Sequence, residues 1–161
     1  MKHLGGRASS VVSAPLATCY AALAAVDRYP SWSDFVREVV DVERDGDGRP
    51  LRAHVIVHVA QSPFGKTFEF DATIRAEPRR AIHVTRLPSD PSDADRFSLS
   101  WLLAEGRGTR IGLDFSARVS FLPSLVPLPG VGDLVASTLL DEAVAELGGA
   151  LASTRGAESS R

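Results

Sequence analysis

The chain has 161 residues, 44% of them hydrophobic and 24% charged, and a formal net charge of −2. That is enough polypeptide for one domain with a sizeable core, and the composition is that of an ordinary globular protein. The lack of a basic excess argues against a nucleic-acid or anionic-membrane footprint, and the single cysteine, Cys19, excludes an intramolecular disulfide.

Residues 1–6 show no clear pattern and are expected to be loosely attached; residues 7–13 read as a strand. Pro15 suits the first turn of a helix, where its missing N–H costs nothing. Leu16, Cys19, Tyr20 and Leu23 then fall at i, i+3, i+4 and i+7, which predicts a helix from Leu16 to Val26. Cys19 lies on that apolar face and reads as a small buried hydrophobe. Pro30, in Tyr29-Pro30-Ser31-Trp32, is expected to end the helix and to push Tyr29 into an extended conformation, with Trp32 and Phe35 as apolar anchors.

Residues 36–44 read as a strand, followed by the hairpin signal Asp45-Gly46-Asp47-Gly48. Period-two alternation then predicts strands over 51–60, 66–76, 80–87, 97–103 and 109–119. Val55 and Val57, Phe68 and Phe70, Ile82 and Val84, Phe97, Leu99 and Trp101, and Leu113 and Phe115 share the apolar faces. One wet face and one buried face make the sheet antiparallel. Turn signals stand at 61–65, 77–79 and 105–108, and residues 88–95 form a polar loop without an apolar anchor. Residues 121–130 are apolar but broken by Pro123, Pro127 and Pro129. From Val131 a helix is predicted, with the stripe Ala136, Leu140, Val144, Leu147 and Leu151 facing inward and Asp133 near its positive end. The polar tail, residues 153–161, is expected to fray.

This order, together with Val12-Ser13-Ala14-Pro15, Tyr29-Pro30-Ser31-Trp32 and Gly108-Thr109-Arg110-Ile111, resembles the START-like (SRPBCC) superfamily. Within it the chain is similar to polyketide cyclase/dehydrase and coenzyme-Q-binding-type proteins. The resemblance implies an α+β helix-grip fold: a curved antiparallel sheet of about six to seven strands wrapped around a long C-terminal helix, with short helices after the first strand. It spans residues 8–152, leaving 1–7 and 153–161 as flexible ends. It also implies a deep apolar cavity, but it carries over no shared catalytic residues.

Side chains with chemistry are few. His54 and His58 share a strand face, yet lie ~13 Å apart at ~3.3 Å per residue, too far for a zinc pair. They read as solvated, and His83 as outward too. Gly130-Val131-Gly132 before the helix is a weak phosphate-site pattern; the simpler reading is glycines that ease a proline-rich helix entry. Arg86 shares the parity of Ile82 and Val84 and so faces inward. It needs a partner there, for which Asp34, Glu38 or an acidic or carbonyl ligand are candidates, unless it snorkels to water where Leu87-Pro88 ends the strand.

The expected function is binding of a hydrophobic small molecule, such as a lipid, quinone or polyketide, in an internal cavity. Its lining candidates are Tyr20, Trp32, Val55, Val57, Phe68, Phe70, Ile82, Val84, Arg86, Phe97, Leu99, Trp101, Leu113, Phe115, Leu140, Val144 and Leu147. One alternative is a cyclase/dehydratase-type enzyme using the same cavity, with Arg86 as the weak catalytic candidate. Another is an interaction module that contacts a membrane or partner through 121–130. No cofactor, metal or nucleic acid is expected. With no secretory leader and no apolar run near the ~18 residues of a membrane span, a cytoplasmic location is expected.

Overall fold

The computed structural model describes residues 2–59, 66–119 and 131–148. Seven strands form one antiparallel sheet in the order β1-β7-β6-β5-β4-β3-β2. They are β1 (Lys2–Val12), β2 (Val36–Arg44), β3 (Pro50–Val59), β4 (Lys66–Glu77), β5 (Ala81–Arg86), β6 (Arg96–Gly106) and β7 (Gly108–Val119). Helix α1 (Leu16–Ala24) and a 3-10 helix (Val26–Ser31) follow β1, and α2 (Val131–Glu146) follows β7. This is the α+β helix-grip arrangement, with β1 and β2 as the two free edges of a curved, unclosed sheet.

The predicted alternation sets the register. Val55 stands opposite Phe70, Ile82 opposite Trp101, and Trp101 in turn opposite Leu113. These side chains share the inner face, where they meet Leu23 of α1 and Ala136, Leu140 and Val144 of α2 in one core. Helix α2 also buries Leu139 and Ala143, which widens the predicted stripe. No helix among the described residues is long and apolar enough to cross a membrane.

Two expectations fail. Residues 2–6 are not loosely attached: β1 starts at Lys2 and pairs with β7 along its whole length, Lys2 opposite Val119 and Val12 opposite Thr109. Nor does Pro30 end the first helix or extend Tyr29. The helix stops at Ala25 (φ −81°, ψ 66°), and both Tyr29 and Pro30 lie within the 3-10 helix. That turn closes through Trp32 N–H and Ser33 N–H, both donating to the Tyr29 carbonyl at 3.1 and 2.8 Å, so proline's missing donor is not needed.

Helix α2 bridges the open edges. Near its start, Asp133 Oδ1 accepts from the backbone N–H of Arg7 on β1 at 3.0 Å. Two turns further on, Glu142 accepts from Ser33 Oγ at 2.9 Å and from Asp34 N–H at 2.6 Å, in the segment leading into β2. The sequence gives Glu142 only as a residue off the apolar stripe. Its latch on Ser33 depends on tertiary geometry, for which helical periodicity carries no signal.

Candidate functional site

Between the inner sheet face and α2, the candidate lining residues fall into two groups. Tyr20, Val55, Ile82, Val84, Leu99, Trp101, Leu113, Phe115, Leu140 and Val144 are buried and fill the core. Trp32, Val57, Phe68, Phe70, Phe97 and Leu147 are only half-buried. Four of the second group, Val57, Phe68, Phe70 and Phe97, lie at one end of the sheet, where β2, β4 and β6 start and β3, β5 and β7 finish. The Phe70 and Phe97 rings stand 5.3 Å apart there, just past the last residue of β5. The opposite end is filled by α1, which packs over β5, β6 and β7 with Cys19 and Leu23 fully buried. Burial also pushes the Cys19 thiol's pKa up. Apolar side chains at the α1 end are therefore buried, while Val57, Phe68, Phe70 and Phe97 at the other end are half-buried.

An aromatic cluster forms the floor. Trp101 is fully buried, with the Tyr29 and Trp32 rings each 6.5 Å from it in edge-on arrangements. The Tyr29 hydroxyl donates to the Leu23 carbonyl, and burial raises its pKa strongly, with the nearby Trp101 indole a smaller opposing influence. Among the described residues, two buried polar atoms, Tyr20 Oη and Trp101 Nε1, have no partner in hydrogen-bonding geometry.

Arg86 faces inward by register, opposite Ala72 of β4, but its partner is neither Asp34 nor Glu38. Its Nη2 stands 2.8 Å from Asp93 Oδ2 and its Nη1 donates to the Asp95 carbonyl at 3.0 Å. The loop 88–95 thus has an anchor after all, an ionic one. Asp93 also accepts from Ser89 N–H and Oγ at 2.8 and 2.9 Å and from Asp95 N–H at 3.0 Å. A carboxylate so surrounded is held far below its ordinary pKa, by Arg86 first and the Ser89 donors next. The sequence signal was present in Ser89-Asp90-Pro91-Ser92-Asp93, whose Asp and Ser side chains favour local turns, but it does not single out the acid that meets Arg86.

The lowered Asp93 pKa fixes a pH dependence. An acid whose folded pKa is depressed adds stability above its unfolded value of about 3.9, and that stability is lost as pH falls toward the folded value. Urea unfolding of wild type and Asp93→Asn should therefore differ by a constant amount above about pH 5, and the gap should shrink below about pH 4. A gap that ignores pH would show that the carboxylate charge does not anchor the loop.

The histidines lie on the outer face. His54 sits between Asp71 (Nδ1 to Oδ1, 3.0 Å) and Glu69 (Nε2 to Oε2, 3.2 Å), and the Asp71 hydrogen bond is the largest cause of its raised pKa. His58 meets Thr67 Oγ1 at 3.1 Å. His83 bridges Ser100 Oγ at 2.8 Å and Glu77 at 2.6 Å, and this contact lowers the Glu77 pKa. These are cross-strand polar pairs, and among the described residues no three such side chains converge on a metal position. The missing side chain of Gly132 lets α2 touch the backbone of β1 at Gly5. Residues 121–130, Gly130 included, and Leu151 lie outside the described residues.

Solved structures share this fold. A START superfamily protein from Mycobacterium smegmatis is 21% identical with a TM-score of 0.61, over 90% of this chain and 92% of that one. The Zhui aromatase/cyclase from Streptomyces sp. R1128 is 16% identical with a TM-score of 0.55, over 91% and 89%. The di-domain ARO/CYC StfQ from the steffimycin biosynthetic pathway is 17% identical with a TM-score of 0.57; the match covers 88% of this chain and 49% of that longer one. Among curated proteins none matches. The family model described as polyketide cyclase / dehydrase and lipid transport matches residues 12–143, and the chain belongs to that family.

Proposed function

We propose that the chain binds a hydrophobic small molecule of the lipid, quinone or polyketide class between the inner sheet face and α2, entering past Val57, Phe68, Phe70 and Phe97. The observation that carries this reading is the asymmetry of burial. The inner face is sealed by α1 at one end, while at the other its apolar side chains stay half-exposed. Apolar surface in that position gains about 25 cal/mol per Å² when a ligand covers it. The cyclase reading draws on Arg86, whose guanidinium is engaged by Asp93 and the Asp95 carbonyl, so binding without turnover is the better-supported function.

Binding of the neutral dye Nile red, followed by its fluorescence, tests the reading. Val57→Glu places a charge on the half-buried wall and should weaken binding by at least about 10-fold, or ~1.4 kcal/mol. Its melting temperature should stay close to wild type, because the site is partly open to water. Unchanged dye affinity in a folded Val57→Glu protein would sink the proposed entrance.

A further inference from the structure

At the end of the sheet sealed by α1, a cleft of about 470 Å³ opens between α1, the 3-10 helix and the turn joining β2 to β3. Its size is within the range of small-molecule sites. Its apolar lining comes from Ala21, Ala24 and Ala25 at the end of α1 and from Pro50 of β3. Its charge is unbalanced: Arg28, Arg44 and Arg49 line it against one acid, Asp27. Asp27 is spent on Arg44, whose Nη2 stands 2.8 Å from Asp27 Oδ2 while Nη1 donates to the Gly48 carbonyl at 3.0 Å. That leaves Arg28 and Arg49 without a carboxylate partner among the described residues. In the adjoining turn, Asp45 Oδ1 accepts from the backbone N–H groups of Asp47 and Arg49, at 2.9 Å each.

The guanidinium of Arg49 lies over the ring of Tyr20, 5.7 Å from its centroid, so the cation is held against an aromatic face. Tyr20 is 5% exposed and lines the cleft, and its buried hydroxyl has no hydrogen-bond partner among the described residues.

We propose that this cleft is a second binding site, separate from the apolar interior, for a small amphipathic carboxylate. The apolar body would lie on the Ala21, Ala24 and Pro50 side, and the carboxylate would meet Arg28 and Arg49. A guanidinium pairs with a carboxylate through two parallel hydrogen bonds, which suits this anion. A neutral analogue of the same shape lacks that pairing and is discriminated against.

Titrations of the full chain with 2-naphthoate and with neutral 2-naphthamide, followed by amide 1H–15N shifts, test the proposal. Naphthoate should shift the Ala21, Ala25 and Gly48 amides saturably, and naphthamide should not. Arg28→Ala/Arg49→Ala should weaken naphthoate binding by at least about 10-fold and leave Nile red binding unchanged. Val57→Glu should do the reverse, so the two sites fail or stand independently. Shifts confined to Val57 and Phe97, shifts equal for acid and amide, or none at all, would each overturn the cleft as an anion site.

Discussion

Trp101→Ala should destabilise the protein by about 3–5 kcal/mol, the range for a buried large aromatic truncated to alanine. Trp101 is the largest fully buried side chain among the described residues, and it stands at the centre of β6 between Ile82 of β5 and Leu113 of β7. Its loss leaves the Tyr29 and Trp32 rings facing a hole, and forfeits edge-on contacts worth about 0.5–1.5 kcal/mol each. Among the described residues the indole N–H has no partner in hydrogen-bonding geometry, so Trp101→Phe mainly removes volume. It should therefore cost much less than Trp101→Ala. Urea denaturation of the three proteins measures both quantities. A loss below about 1 kcal/mol for Trp101→Ala would mean that the surrounding rings collapse into the hole and that this floor is not rigidly packed.

Position 101 was legible in the sequence because strand parity is a local property. Ser98, Ser100 and Leu102 mark the outer face, and Leu102 is indeed 48% exposed. Parity also placed Arg86 correctly on the inner face. What parity cannot supply is the partner, since Asp93 reaches Arg86 through the path of a loop. The separation of buried from half-buried apolar residues is likewise out of reach. Val55 and Val57 have the same residue type and the same face, and differ only in their distance from the end of the sheet. The first helix shows a third limit. Pro30 carries a strong local preference, but the actual break at Ala25 leaves proline inside a tighter helix whose closing bonds do not use its nitrogen. Glu142 and Asp133 show the fourth: both are plain polar helix residues until the edges of the sheet curve round to meet them.

Gly132→Ala turns the contact between α2 and β1 into a measurement. Helix propensity alone predicts a gain, since alanine is favoured over glycine by about 1 kcal/mol in a helix. The packing predicts the opposite sign. A Cβ at Gly132 would stand 1.8 Å from the Gly5 carbonyl oxygen, and one at Gly6 would stand 2.1 Å from the Gly132 oxygen. Both obstacles are backbone, so no side chain can swing aside. The start of α2 would have to lift from β1, stretching the bond from Arg7 N–H to Asp133 and loosening Ala136 and Leu140 in the core. Overpacking of this kind costs about 1–3 kcal/mol or more, enough to outweigh the propensity gain. Gly46 is the control: nothing lies within 4 Å of a Cβ there, so Gly46→Ala should change stability by no more than about 0.5 kcal/mol. Gly6→Ala should match Gly132→Ala in direction, because the same crossing is blocked from the other side. If thermal unfolding finds Gly132→Ala as stable as Gly46→Ala, then α2 does not rest on the backbone of β1. The grip between helix and sheet edge would then be looser than the Gly5-Gly6 to Gly132 contact requires.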